Sequence, residues 1–219
     1  MNFVGHAVVA ARVPPASPGF LLGAVLPDLL PMAGVRRLDP AAGLPDAVAA
    51  GMRCHILTDA SFHAHAGFVG LLREVRSRLL ARGVPTGPAR AAAHVGVELA
   101  LDGLLLDRAD GQDALAAALS DRQCVTFAIP AEARARWDDL TARIADRGAL
   151  HPYRDPAPVV QRVLARRPRL ALDDEHVAVL AAELEAVAPA LAAAEADLVA
   201  DAVSAASAGG TPVASPRPA

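Results

Sequence analysis

Between Cys54 and His65 the chain reads Cys-His-Ile-Leu-Thr-Asp-Ala-Ser-Phe-His-Ala-His, and three of these side chains, His55, Asp59 and His63, recur every fourth residue. On an α-helix, at about 100° per residue, each step drifts only about 40°, so imidazole, carboxylate and imidazole project from one face. Imidazole nitrogen beside a hard anionic oxygen suits zinc, manganese or iron better than calcium or magnesium. The same spacing returns at His94, Glu98 and Asp102. Two such stripes facing each other would hold one to three divalent ions bridged by carboxylates. Ions so held can neutralise charge developing on a phosphoester and activate water, with Asp59 and Glu98 as the carboxylates nearest the chemistry.

Two earlier residues extend the set. His6 lies in a short apolar segment, and Asp28 ends the run Gly23-Ala24-Val25-Leu26-Pro27-Asp28. A carboxylate in so apolar a run needs a cation or several donors, because an uncompensated buried charge costs several kcal/mol. The competing reading of all these residues is a polar network that ties helices together through satisfied hydrogen bonds and holds no ion. Asp102 serves equally well as an acceptor that orients a histidine.

Other catalytic templates are missing. The chain contains no Gly-x-x-x-x-Gly-Lys phosphate loop, no Gly-x-Gly-x-x-Gly and no Gly-x-Ser-x-Gly elbow. A carboxylate-bridged di-iron bundle would favour Glu-x-x-His repeats over the His-x-x-x-Asp and His-x-x-x-Glu seen here. All 21 basic residues are arginine, which excludes a lysine Schiff base. Arg53, beside the first stripe, and Tyr153, Arg154, Arg167 and Arg169 in late loops are candidates for clamping phosphate, Arg by its bidentate fork.

Helices must position these groups. Asn2 to Arg12 reads as a short apolar helix, and Ser17-Pro18 opens a second through about Leu30, with Ser17 as cap and proline in the first turn. After a loop over 33–45, Asp46 is expected to cap the helix that carries the first stripe to His65. Phe68 to Arg82 continues the pattern, and Ala89 to Asp107 carries the second stripe beside its apolar face. Beyond come a short helix over Ala114–Leu119, an extended or irregular Cys124–Ile129, helices over Pro130–Arg147 and Ala157–Arg166, and a long alanine-rich helix from Asp173 to about Ala206. The expectation is one all-α domain of six to nine helices over 1–208, followed by a disordered tail over 209–219.

With 219 residues, 53% of them apolar, the chain can bury a substantial core. A net charge of −3 and 3% aromatics argue against a nucleic-acid partner. Cys54 and Cys124 stand far apart, so no disulfide framework is expected, and a cytoplasmic protein without a membrane span is the simplest reading.

Met1-Asn2-Phe3-Val4-Gly5-His6 resembles the opening Met-Asn-Phe-Leu-Ala-His of the acyl-carrier-protein phosphodiesterase family, and Gly51 to Asp59 resembles that family's Gly-Ile-x-x-His-Arg-x-Ile-Asp. The resemblance implies a helical fold related to the His-Asp (HD) phosphohydrolases. It also implies divalent-metal cleavage of a phosphoester on acyl carrier protein, and a ligand set of His6, Asp28, His55 and Asp59 completed by Asp102 or by His94 with Glu98. Gly23 to Asp28 is also similar to the Gly-Ala-x-x-Pro-Asp of zinc-dependent phospholipase C, an all-α family. His55, Asp59 and His65, then His94 and Glu98, follow that family's later ligands. This second resemblance implies a lipid or nucleotide phosphoester as substrate and makes His65, not His63, the ligand, whereas helical spacing favours His63.

Overall fold

The computed structural model describes residues 2–39, 43–146, 153 and 155–209. Among them the chain is all-α, with no strand. In order it comprises α1 (Phe3–Ala11), α2 (Pro18–Met32), α3 (Asp46–Ala64), α4 (Ala66–Ala81), α5 (Thr86–Leu106), α6 (Ala109–Ser120), a 3-10 stretch (Arg122–Ala128), α7 (Ala131–Ala145), α8 (Pro156–Ala165), a short 3-10 turn (Pro168–Leu170) and α9 (Asp174–Gly209).

Helix α1 is buried on every side, from Phe3 to Ala10, which is why its sequence shows no polar face. The Asn2 side chain accepts from the Phe3 N–H at its start. Around it pack α2, α5, α6 and α9. The second helix begins as expected, with the Ser17 hydroxyl accepting from the Phe20 N–H and Pro18 in the first turn. It carries Pro27 and Pro31 internally. These prolines withhold the N–H groups that would bond the Gly23 and Pro27 carbonyls.

Helices α2 and α3 cross at backbone contact. A Cβ on Gly23 would stand 2.1 Å from the Val48 carbonyl oxygen, and one on Gly51 would stand 2.0 Å from the Phe20 carbonyl oxygen. Only glycine admits that approach, and it brings the start of the first stripe, His55, against Ala24 of α2.

Several boundaries differ from the sequence expectation. Pro45 rather than Asp46 precedes α3, and Asp46 is its first residue, where an acid suits the positive end of the helix. Helix α6 starts earlier, at Ala109, and the segment after it is 3-10 rather than extended. The expected tail lies outside the described residues except for Gly209, where α9 ends.

The sequence reading expected no membrane span, yet Asp174–Ala208 is long and apolar enough to cross a membrane, with mean hydropathy 1.8. Alanine, valine and leucine together supply that value, and 28% of the apolar window is buried in the fold. The helix lies along α3, α4, α5 and α8, and three of its acids meet basic groups on other helices. Glu183 is paired with Arg78 at 3.4 Å and Arg82 at 3.8 Å, Asp201 reaches His65 at 3.6 Å, and Glu195 pairs with Arg108.

Candidate metal centre

Side chains from α1, α2, α3 and α5 converge in two groups, each with ligand atoms within 4.8 Å of one another. The first is His6, Asp28 and His55; the second is His63, His94 and Glu98. Asp59 stands between them. Its Oδ1 is 3.9 Å from His6 Nε2 and 3.2 Å from His63 Nε2. In the second group Glu98 Oε1 lies 3.4 Å from His63 Nε2 and 3.3 Å from His94 Nε2. Two ligands about 2.0–2.2 Å from a tetrahedral ion lie roughly 3.3–3.6 Å apart, so the two Glu98 separations suit an ion between the atoms.

The inner group is oriented from behind. Thr58 donates its hydroxyl hydrogen to the His55 carbonyl at 2.9 Å, which leaves its oxygen to accept from His6 Nδ1 at 2.8 Å. His6 therefore turns Nε2 toward Asp28, whose Oδ2 is 3.9 Å away. His55 Nδ1 donates to the Ala24 carbonyl at 2.9 Å, a contact that the glycine crossing of α2 and α3 makes possible. Fixing the Nδ1–H tautomer presents a lone pair on Nε2, the arrangement found behind metal-ligating histidines. Burial lowers the His55 pKa and keeps the imidazole neutral.

Asp28 gives the test between an ion site and a satisfied polar network. Its Oδ2 is buried and has no hydrogen-bond partner among the described residues. Burial, with Asp102 adding to it, pushes the carboxyl up to about 8. A satisfied network would not strand a carboxylate oxygen 3.9 Å from an imidazole nitrogen; a cation between the two would compensate both. The donor set, neutral imidazoles and carboxylates, fits zinc, manganese or iron.

Asp59 behaves oppositely. Burial works to raise its pKa, but the hydrogen bond from His63, with His63 and His6 nearby, outweighs it and holds the group ionised, below the ordinary carboxylate range. The outer group is more open: the His94 side chain is 46% exposed and Asp59 40%, against 0% for His6. His63 and His94 stack with ring centroids 5.0 Å apart and planes 8° from parallel, and Phe68 meets both edge-on.

Three residues of the expected set go elsewhere. Asp102 is fully buried and accepts from the Val4 N–H at 3.2 Å and the Gly5 N–H at 3.0 Å, so its carboxylate is engaged by the positive end of α1. It holds the helix that carries His6 and belongs to neither ligand group. His65 leaves α3, accepts from the Gly67 N–H through Nδ1 at 3.1 Å as the cap of α4, and turns Nε2 to Asp201. Arg53 is exposed, about 200° around α3 from His55, and therefore faces away from the stripe. Arg154 lies outside the described residues.

Sequence reasoning overlooked Thr58 and the Ala24 carbonyl, which set the histidine tautomers. The usable signal was Gly23 and Gly51, helix-interior glycines that predict close backbone approach. No protein-family model, curated protein or solved structure matches the chain. The two family resemblances thus rest on the residues quoted for them.

Proposed function

We propose that the chain is a metal-dependent phosphoester hydrolase whose centre spans the two ligand groups. The observation that carries this reading is the Asp59 carboxylate, set between two three-ligand groups at 3.9 Å from His6 Nε2 and 3.2 Å from His63 Nε2, beside the buried Asp28 oxygen that lacks a hydrogen-bond partner among the described residues. His6, Asp28 and His55 would hold one cation, His63, His94 and Glu98 a second, with Asp59 shared. Divalent cations there would supply Lewis acidity toward a phosphoryl oxygen and activate water.

The chain's own groups do the rest. Asp59 fixes the separation of the two halves and brings negative charge where the cations are needed. Glu98, between two imidazoles, accepts the proton of the attacking water as its oxygen bonds to phosphorus. The ester P–O bond breaks opposite, and the leaving alkoxide takes a proton from solvent water while Glu98 returns its own to solvent, which restores the carboxylate. The exposed edge of His94 marks the side from which substrate enters, and Phe62 and Phe68 keep the floor dry.

Elemental analysis of protein purified without chelator tests the reading. About one equivalent or more of zinc, manganese or iron is expected, together with chelator-sensitive hydrolysis of bis-p-nitrophenyl phosphate. Less than about a tenth of an equivalent, with melting unchanged by added zinc or manganese, would leave a polar scaffold without catalysis. A panel containing holo acyl carrier protein and phosphatidylcholine then separates the two substrate classes that the resemblances imply.

A further inference from the structure

A groove of about 1040 Å³ opens beside His94, between α4, α5, α8 and the end of α2. Its size is at the upper end of the range of about 300–1,000 Å³ usual for small-ligand pockets. The floor is apolar, and two of its lining residues, Met32 and Val163, are large apolar side chains left 41% and 43% exposed. The rim is cationic: Arg73 and Arg76 come from α4, Arg90 from α5, and Arg166 and Arg167 follow α8. No Asp or Glu lines the groove, and none of these five guanidinium groups forms an ion pair among the described residues. Elsewhere five arginines are paired: Arg12 with Asp110, Arg78 with Glu74 and Glu183, Arg82 with Glu183, Arg108 with Glu195 and Arg143 with Asp139. In a chain of net charge −3 the groove thus gathers five cationic side chains beside an apolar floor.

We infer that this groove binds a single-chain anionic amphiphile, with its hydrocarbon chain on the Met32 and Val163 floor and its negative head on the arginine rim. Charge complementarity selects the occupant. A neutral apolar ligand would leave five guanidinium groups unused, and an inorganic anion would leave the floor wet. Arginine forks bind phosphate or carboxylate bidentately, and their weak hydration suits a rim beside apolar surface. Because His94 lines the groove and also belongs to the outer ligand group, the bound chain is the non-reacting part of the substrate. That last step rests on the hydrolase reading; the binding itself does not.

Calorimetric titration of the full chain in chelator with butyl, octyl and dodecyl phosphate, all below their micellar concentrations, tests the binding without any metal. Affinity is expected to rise with chain length, by up to about threefold to fourfold for each methylene that the floor covers. It should fall by about tenfold or more in the Arg90→Gln/Arg166→Gln double variant, which removes charged hydrogen bonds. Dodecyltrimethylammonium should bind at least about tenfold more weakly than dodecyl phosphate, and Val163→Asp, a change at an exposed position, should flatten the chain-length series. Equal binding of the cationic and anionic chains, or dodecyl phosphate binding no better than inorganic phosphate, overturns the proposal. So does retention on phosphatidylglycerol vesicles without binding of the monomeric amphiphile, which would make the patch a membrane-facing surface. Given binding, dodecyl p-nitrophenyl phosphate should be hydrolysed with a higher kcat/KM than the ethyl ester. Binding without any metal-dependent turnover would sink the hydrolase reading and leave the groove standing.

Discussion

His6, Asp28 and His55 meet in the interior, where the Thr58 hydroxyl and the Ala24 carbonyl fix the imidazoles; His63, His94 and Glu98 meet at the edge, where ring stacking does more of the work. Both groups offer two imidazoles and one carboxylate. The inner one is set by three features of the backbone, the N-terminus of α1, the proline-containing α2 and the glycine crossing, and by one side chain, the Thr58 hydroxyl. The outer one draws its ligands from α3 and α5 alone and faces solvent. Preorganisation of this kind predicts a tightly held inner ion and an exchangeable outer one beside the substrate.

Replacing the shared carboxylate should have the largest effect. Asp59→Asn is expected to lower turnover of bis-p-nitrophenyl phosphate by on the order of a hundred- to a thousandfold while circular dichroism and melting stay close to the parent. Metal analysis should show loss from the outer group first. Parent-like turnover in this variant would remove Asp59 from the centre and dissolve the two-group description.

Gly51→Ala acts on the inner group through the fold. Its methyl would meet the Phe20 carbonyl at 2.0 Å, backbone against backbone, so α2 and α3 must separate. Overpacking of this kind costs about 1–3 kcal/mol, or roughly 2–12 °C in Tm for a chain of this size. Thermal melting with and without zinc reads both consequences, since the His55 contact to Ala24 is lost as the helices part and metal stabilisation should shrink with it. An unshifted Tm would mean that the crossing is looser than the glycines imply.

The next effects distinguish the groups directly. Thr58→Val removes the acceptor for His6 Nδ1 and keeps the shape. It should weaken the inner ion by about tenfold in competition with a chromogenic chelator, leaving the outer affinity unchanged. Asp102→Asn keeps one acceptor of two at the start of α1 and should cost about 1–3 kcal/mol, measured by denaturant unfolding, together with a similar selective loss at the inner group. Equal weakening of both ions in either variant would show that they form one unit.

His65→Ala should be the mildest. It removes the cap of α4, worth about 0.5–2 kcal/mol, and should leave bound metal and turnover at parent levels. A loss of metal would restore His65 to the ligand set at the expense of His63.

The choice between those two histidines shows what was legible in the sequence. Helical spacing continued from His55 through Asp59 to His63, and the structure puts His63 beside Asp59 and Glu98. His65 was assigned by analogy of pattern, and the chain leaves the helix just before it. The all-α class followed from periodicity and the absence of alternating strands. Asp102 shared the i, i+4, i+8 spacing of its stripe, but spacing states only which way a side chain points. What it meets there, the N–H groups of a helix a hundred residues earlier, is a tertiary fact. The groove was hidden for the same reason: Arg73, Arg90 and Arg166 look like ordinary surface arginines until three helices bring them around one floor.

The Gly23–Gly51 crossing also bears on which ion the protein can accept. With no side chain between α2 and α3, the helices stand at backbone contact, and that contact limits how closely Asp28 and His55 can be brought together. The outer group has no such stop on its α5 side. Under the proposed function, selectivity for ionic radius would reside in the inner half, and redesign of the metal preference should change ligand length there, for example Asp28→Glu, and leave the helices where they are.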